Sequence, residues 1–470
     1  MHDIRYVCLS DTHFGAETSL LTHLTSDGHI DPAMPSPVLE RLVDCLRSLI
    51  PKKKPSPLPT LVMNGDILEL ALAQDNDAAM AFQRFIELTM LQGDPLFEKI
   101  IYNPGNHDHH LWETARETQF AEYLKDKVAW GDKIDPAWHT TNIFRNPVES
   151  YFLNSLLKRR AELAKLPIVT TYPNFGIMTD DLKKAVVFHH GHLVEDLYYL
   201  MSTLKTLIFP GSAVPTAIWD IEAENFAWID FFWSALGRSS AVGIGVGRIY
   251  EKLQDEDQVN LLLKNLADGL ARNYGGSGRL ADWTEAQALK LIFDLIYHHV
   301  SSLERHTPGE PLSESAKEAL KKYMSGPLKH QIHNELGFTP EDITFVFGHT
   351  HKPFEDSRTF ENYHGPVQVY NSGGWVVDKV DSEPVFGGAI ILIDETLETV
   401  SLRMYNEQTE PRLYAVSVNH AGAAPGAFHK RIAGLVQPNA GAWKAFSETV
   451  ADHVSLRAHF LADRIRDRDK

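Results

Sequence analysis

Eight side chains able to bind a cation or move a proton stand just beyond apolar, strand-like runs: Asp11, His13, Asp66, Asn106, His107, His190, His349 and His351. The run Lys99–Tyr102 stops at Asn103-Pro104-Gly105, a tight turn that presents Asn106, His107 and Asp108 in succession. Asn and Asp also favour turns for local reasons, so this segment alone reads equally well as a hydrogen-bonded turn. The other runs decide the matter. Ile4–Ser10 leads to Asp11-Thr-His13, Thr60–Met63 to Asn64-Gly-Asp66, Ala185–Phe188 to His189-His-Gly-His192, and Ile343–Phe347 to Gly348-His-Thr-His351. Oxygen and imidazole donors in this mixture suit manganese, iron or zinc better than magnesium or calcium. Eight donors exceed what one mononuclear site uses. Two cations about 3.5–4 Å apart, sharing one carboxylate, would use them well and could hold a phosphoryl group for in-line displacement.

Such residues need a scaffold that collects strand ends. Helical spacing follows the early strands at Pro37–Ile50 and Ala78–Leu91, so strands and helices alternate as in an α/β layered sheet. Ligands gather beyond the carboxyl ends of such strands. Further helices are expected over Glu113–Val128 and Ser150–Lys165, flanking an aromatic, proline-containing connection. From Leu193 to Thr339 the alternation lapses into helical stretches (Glu251–Tyr274, Thr284–Arg305, Ser313–Leu336) and an aromatic run from Phe226 to Trp233. Strands return at Val367–Tyr370, Gly388–Ile393 and Thr399–Tyr405, and Ala442–Lys470 has the pattern of one amphipathic helix. The expected division is a core in two parts, residues 1–192 and 341–410, around an insertion at 193–340, with a C-terminal extension at 411–470.

Asp11-Thr-His13, Gly65-Asp66, Gly105-Asn-His-Asp108, His190-Gly-His192 and Gly348-His-Thr-His351, in that order, resemble the five motifs of the calcineurin-like metallophosphoesterase superfamily. The resemblance implies a four-layer α/β/β/α sandwich, here carrying a large helical cap and a C-terminal helix, with a dinuclear site at one edge of its two sheets. By motif position, one divalent metal would be held by Asp11, His13, Asp66 and His351. The other would be held by Asp66, Asn106, His190 and His349, which makes Asp66 the bridge. Manganese is the expected metal, with iron or zinc as alternatives. His107 matches the histidine that meets the phosphoryl group and assists the leaving oxygen, and Asp108 would orient its imidazole. The implied chemistry is attack on phosphorus by a hydroxide bridging the metals. The superfamily includes pyrophosphatases of nucleotide-linked lipid precursors, so a small or lipid-linked phosphodiester or pyrophosphate is the expected substrate. A repair-type nuclease and a catalytically weak scaffold are the alternatives.

The bulk numbers, 43% hydrophobic and 23% charged, are ordinary for a globular protein. A formal charge of −17 over 470 residues argues against a nucleic-acid binder, which needs a basic surface. With only Cys8 and Cys45, no disulfide framework or cysteine-built zinc site is indicated. The N-terminus lacks the organisation of a signal peptide, from which a cytoplasmic location is expected. The insertion has no run of about 18 apolar residues without charge or proline; its aromatic surface reads as the interior of a cap, or as a contact for an acyl chain or membrane. His189 and His190 are adjacent and face opposite sides of a strand, so one of them binds metal, and motif position favours His190. His192 reads as a substrate contact or a satisfied surface histidine, and His109 and His110 as pocket residues or exposed loop residues. Asn371 is expected to be mainly structural. Gly243–Gly247 lacks the preceding strand of a nucleotide-binding loop and is discounted, and Arg238 and Arg248 read as surface arginines.

Overall fold

The computed structural model describes residues 3–50, 57–91, 95–209, 211–230, 304 and 309–467. Two sheets face each other. The larger has eight strands in the spatial order Ser417–Asn419, Thr399–Asn406, Gly387–Asp394, Ile4–Leu9, Thr60–Asn64, Lys99–Asn103, Ile168–Thr170, Val148–Glu149. The smaller has five: Phe354–Arg358, Val367–Asn371, Asp342–Phe347, Lys184–His189, Asn174–Met178. The strands that precede the motifs run parallel within each sheet, Ile4–Leu9 beside Thr60–Asn64 and then Lys99–Asn103, and Lys184–His189 beside Asp342–Phe347. Their carboxyl ends therefore emerge together.

Side-chain alternation along each strand builds the layers. Cys8, Val62, Ile101, Val186, Phe188, Val346 and Ile391 point inward and form the core between the sheets. Their neighbours Val7, Leu9, Leu61, Met63, Ile100 and Ile390 point the other way, into a core roofed by the helices Pro37–Leu49, Asp75–Ile86 and Gly441–Asp467. On the outer face of the smaller sheet, Val187, Phe345 and Phe347 meet Ile218 and Ile221 of the helix Ile218–Trp228 and Leu320 and Tyr323 of Glu314–Tyr323. The result is the expected α/β/β/α sandwich. Each fully buried Val, Leu, Ile or Phe contributes about 1.5–3 kcal/mol relative to exposure.

Several elements differ from the sequence expectation. The helix expected over Ser150–Lys165 stops at Leu157, because the chain must turn back to deliver the strand Ile168–Thr170. The helix expected from Glu113 starts four residues earlier, at His109, directly after the third motif. Ser313–Leu336 is helical but widens into a π turn over Met324–Leu328, around Pro327. The helix Ala427–Leu435 and the strand Asn174–Met178 had no expectation. The stretch Glu251–Tyr274, nearly all of Thr284–Arg305, the end of the aromatic run at Trp233, Gly243–Gly247, Arg238 and Arg248 lie outside the described residues. Among the described residues no helix is long and apolar enough to cross a membrane.

Candidate metal centre

Five loops converge where the parallel strands end. Ile4–Leu9 delivers Asp11 and His13, Thr60–Asn64 delivers Asp66, and Lys99–Asn103 delivers Asn106 and His107. Lys184–His189 delivers His190, and Asp342–Phe347 delivers His349 and His351. All eight side chains are buried. Their donor atoms form three groups, each with every atom within 4.8 Å of the others: Asp11, His13 and His351; His13, Asp66 and His107; Asp66, His190 and His349. Asp66 belongs to two of them, its Oδ2 lying 3.2 Å from His190 Nε2 and 3.8 Å from His13 Nε2. Asn106 joins the last group, with Oδ1 3.0 Å from His190 Nε2, and His349 Nδ1 lies 3.2 Å from that same nitrogen.

The backbone is bent out of ordinary geometry to achieve this. Asp11, His13, Asp66, His349 and His351 all have positive φ, between 43° and 71°. Such a conformation is uncommon for residues with a Cβ and costs on the order of 1–3 kcal/mol each, so it persists only where the surroundings enforce it. Two glycines make the close approach possible. A Cβ on Gly105 would stand 2.3 Å from Asp66 Oδ1, and one on Gly348 would stand 2.1 Å from Asp11 Oδ2.

Carboxylates and carbonyls fix the imidazoles from behind. Glu69 accepts from His13 Nδ1 at 2.8 Å and from His107 Nδ1 at 2.9 Å, one oxygen for each ring. Asp378 accepts from His351 Nδ1 at 2.5 Å, Glu195 from His349 Nε2 at 2.7 Å, and the Asn64 carbonyl from His190 Nδ1 at 3.3 Å. Each bond holds a proton on the nitrogen that faces outward and leaves the other nitrogen of the ring to face the site.

The carboxylate on His107 corrects one expectation. It is Glu69, not Asp108. Asp108 accepts backbone amides from Gly105 at 2.6 Å and Ile67 at 2.7 Å, and the Tyr102 hydroxyl as well. It ties the third motif loop to the second. Glu69 and Glu195 carry the same sequence signal, a carboxylate three residues after a motif residue, Asp66 and His192 respectively; Asp378 lies outside the five motifs.

The electrostatics run one way. Burial would lower the pKa of His190, but Asp66, Asp11 and Asp108 outweigh it and hold the imidazole up at about 9. Burial likewise opposes Asp378 and Asp11 at His351, and the carboxylates win, raising it to about 10. Burial pushes the Asp66 carboxyl up, yet His190, His107 and His13 hold it well below the usual carboxylate range. The acidic groups thus draw positive charge into the site. Asp11 Oδ2 and His13 Nε2 are buried with no hydrogen-bond partner among the described residues. Burying polar atoms unpartnered is costly, and both residues belong to the Asp11–His13–His351 group. A donor set of oxygens and imidazoles with orphaned atoms at its centre fits divalent transition-metal cations.

The neighbouring histidines sort out cleanly. His189 faces away from His190, packing on Tyr323, and its Nδ1 accepts from the Gly191 amide at 2.8 Å. His192 is fully buried rather than at the surface, stacked on Tyr172 with Nε2 3.8 Å from Glu222 Oε1. His109 is buried and His110 partly so; both begin a helix and both approach Asp230, at 3.3 and 3.4 Å. Neither is an exposed loop residue. Asn371 is occupied by the fifth motif loop, donating to Gly348 O and Thr350 Oγ1 at 3.0 Å each.

The family model for calcineurin-like phosphoesterases matches residues 4–208. That span contains the first four motifs; His349 and His351 lie beyond it. No curated protein matches the chain. Among solved structures, a dimetal phosphatase from Danio rerio aligns over 90% of this chain and 100% of its own, at 10% identity and a TM-score of 0.29.

Proposed function

We propose that this chain is a calcineurin-like phosphoesterase, a phosphodiesterase or pyrophosphatase acting on a small or lipid-linked substrate through two divalent cations, manganese foremost. The observation that carries the reading is the place of Asp66 Oδ2, 3.8 Å from His13 Nε2 on one side and 3.2 Å from His190 Nε2 on the other. Asp11, His13, Asp66 and His351 would hold one cation, and Asp66, Asn106, His190 and His349 the other. Bound there, the pair would polarise phosphoryl oxygens and make water more acidic.

The chain's own residues supply the rest. Glu69 keeps the His107 Nδ1 proton in place and stabilises a positive charge on that ring, so Nε2 is the atom that gives a proton to the leaving oxygen. Glu69 is itself held ionised: burial opposes this, but His107 and His13 keep its carboxyl far below the usual range. The insertion supports a restricted substrate range, because its helices Leu200–Ile208 and Ile218–Trp228 follow the fourth motif directly and bury Glu222 and Tyr198 beside it. Its exposed Met201, Phe209 and Trp219 favour an apolar substituent on the substrate, or contact with a membrane surface. A net charge of −17 counts against nucleic acid.

The test compares bis-p-nitrophenyl phosphate with p-nitrophenyl phosphate as substrates of manganese-loaded protein, with Asn106→Ala as control. Faster cleavage of the diester, lost in the variant, is the expected result. A monoester preference would remove the diesterase reading, and equal rates in the variant would remove the site.

A further inference from the structure

The insertion sets four acidic side chains against basic groups of the motif loops. Glu195 Oε1 lies 2.7 Å from His349 Nε2, Glu222 Oε1 3.8 Å from His192 Nε2, Asp230 Oδ1 3.3 Å from His109 Nδ1, and Glu304 Oε1 3.4 Å from Lys352 Nζ. Three of these acids brace residues that flank the donor set. Glu195 alone among the four touches a member of it.

The local fold explains how Glu195 reaches His349. Immediately after His190 the chain turns at Gly191, whose φ of +124° excludes an ordinary side chain, and whose Cβ would stand 3.0 Å from His349 Cβ. Two short turns follow, His192–Val194 and Asp196–Tyr199, with Glu195 at the junction. The Glu195 amide donates to His192 O at 3.0 Å and its carbonyl accepts from the Tyr198 amide at 3.2 Å. That junction presents both Glu195 and Tyr198 to His349, the Tyr198 ring meeting the imidazole edge-on at 5.4 Å. Because a carboxylate oxygen only accepts, the Glu195 contact fixes a proton on His349 Nε2. The lone pair is then on Nδ1, the nitrogen 3.2 Å from His190 Nε2. The turn growing out of one donor residue therefore sets the tautomer and ring orientation of another, on a different strand.

We infer that Glu195 is a positioning residue, through which the first turn of the insertion sets the affinity of the Asp66–Asn106–His190–His349 group for its cation. The inference rests on the dinuclear reading proposed above and adds a regulatory handle to it. Whatever shifts the insertion's first turn shifts the loading of one metal position and leaves the other alone. Carboxylates behind metal-bound histidines are worth about 10–100-fold in metal affinity.

The experiment is calorimetric titration of the full chain with Mn²⁺, with bound metal counted by elemental analysis, for the wild type, Glu195→Ala and Glu195→Gln. The wild type should take up two ions. Glu195→Ala should bind one of them about 10–100-fold more weakly and the other as the wild type does. Glu195→Gln, whose amide oxygen still accepts from Nε2–H, should recover most of the loss. Wild-type affinity at both positions in Glu195→Ala overturns the inference. So does equal weakening at both with no recovery in Glu195→Gln, which marks a merely structural role. A wild type that takes up fewer than two ions overturns the dinuclear reading and the inference with it, so the two failures are distinct.

Discussion

Glu69 faces two imidazoles at once, to which the proposed function gives different work. Through one oxygen it orients His13, placed to bind a cation; through the other it orients His107, placed to serve the leaving group. Its remaining capacity is taken by the amides of Ala71 and Leu72, both at 2.9 Å. It has little freedom to move with either ring. His107→Ala should therefore retain both metal ions while turnover falls by about 10²–10⁴-fold, the usual worth of a positioned general acid. Metal content and kcat on a poor leaving group, measured on one preparation, check this; unchanged kcat would remove His107 from the chemistry. At this scale the donor residues were legible because each is a polar residue stopping an apolar run. The carboxylates behind them were less so. An acid in a loop looks the same in sequence whether it faces water or a buried imidazole, so Asp108, inside a motif, drew the role that Glu69 holds.

At the scale of elements, the strand ends place the donors and the surrounding helices keep the strand ends in register. The helix Gly441–Asp467 lays Trp443, Phe446, Val450 and Val454 into the core beneath the larger sheet. Phe446 meets Trp375 edge-on at 6.3 Å. Further along, the buried Arg457 donates to Ser19 O at 2.9 Å and Thr22 O at 2.7 Å, in the segment that follows His13. Phe446→Ala should cost about 3–5 kcal/mol of stability through the lost burial and the cavity left behind. Urea unfolding measures it, and a loss under about 1 kcal/mol would mean that the helix is not part of the folding unit. The amphipathic period of this helix was readable in the tail. The end of Tyr151–Leu157 was not, because the need to return a strand to the sheet edge is a tertiary demand that local spacing does not carry. The π turn at Met324–Leu328 was hidden for a similar reason: Pro327 alone predicts a break, and packing of Met324 and Leu328 keeps the helix continuous around it.

Over the whole molecule, donors separated by as many as 340 positions in the chain, Asp11 to His351, come together because the two sheets end their parallel strands at one place. The chain spends strained backbone at five of those donors, and the cost is met by the packed layers beneath them. The insertion adds a further demand. It arrives between the fourth and fifth motifs and docks through acids onto both, Glu222 against His192 and Glu195 against His349. Order and spacing of the motifs made the fold readable from the sequence, whereas this docking is a matter of three-dimensional contact that no spacing encodes.

The dinuclear reading proposed above puts Asp66 between two cations. Its most direct test is the number of manganese ions bound per chain, by elemental analysis after dialysis, in the wild type and in Asp66→Asn. Two are expected in the wild type and at most one in the variant, since the neutral amide removes a charged oxygen from both positions. Two ions retained in Asp66→Asn would contradict it.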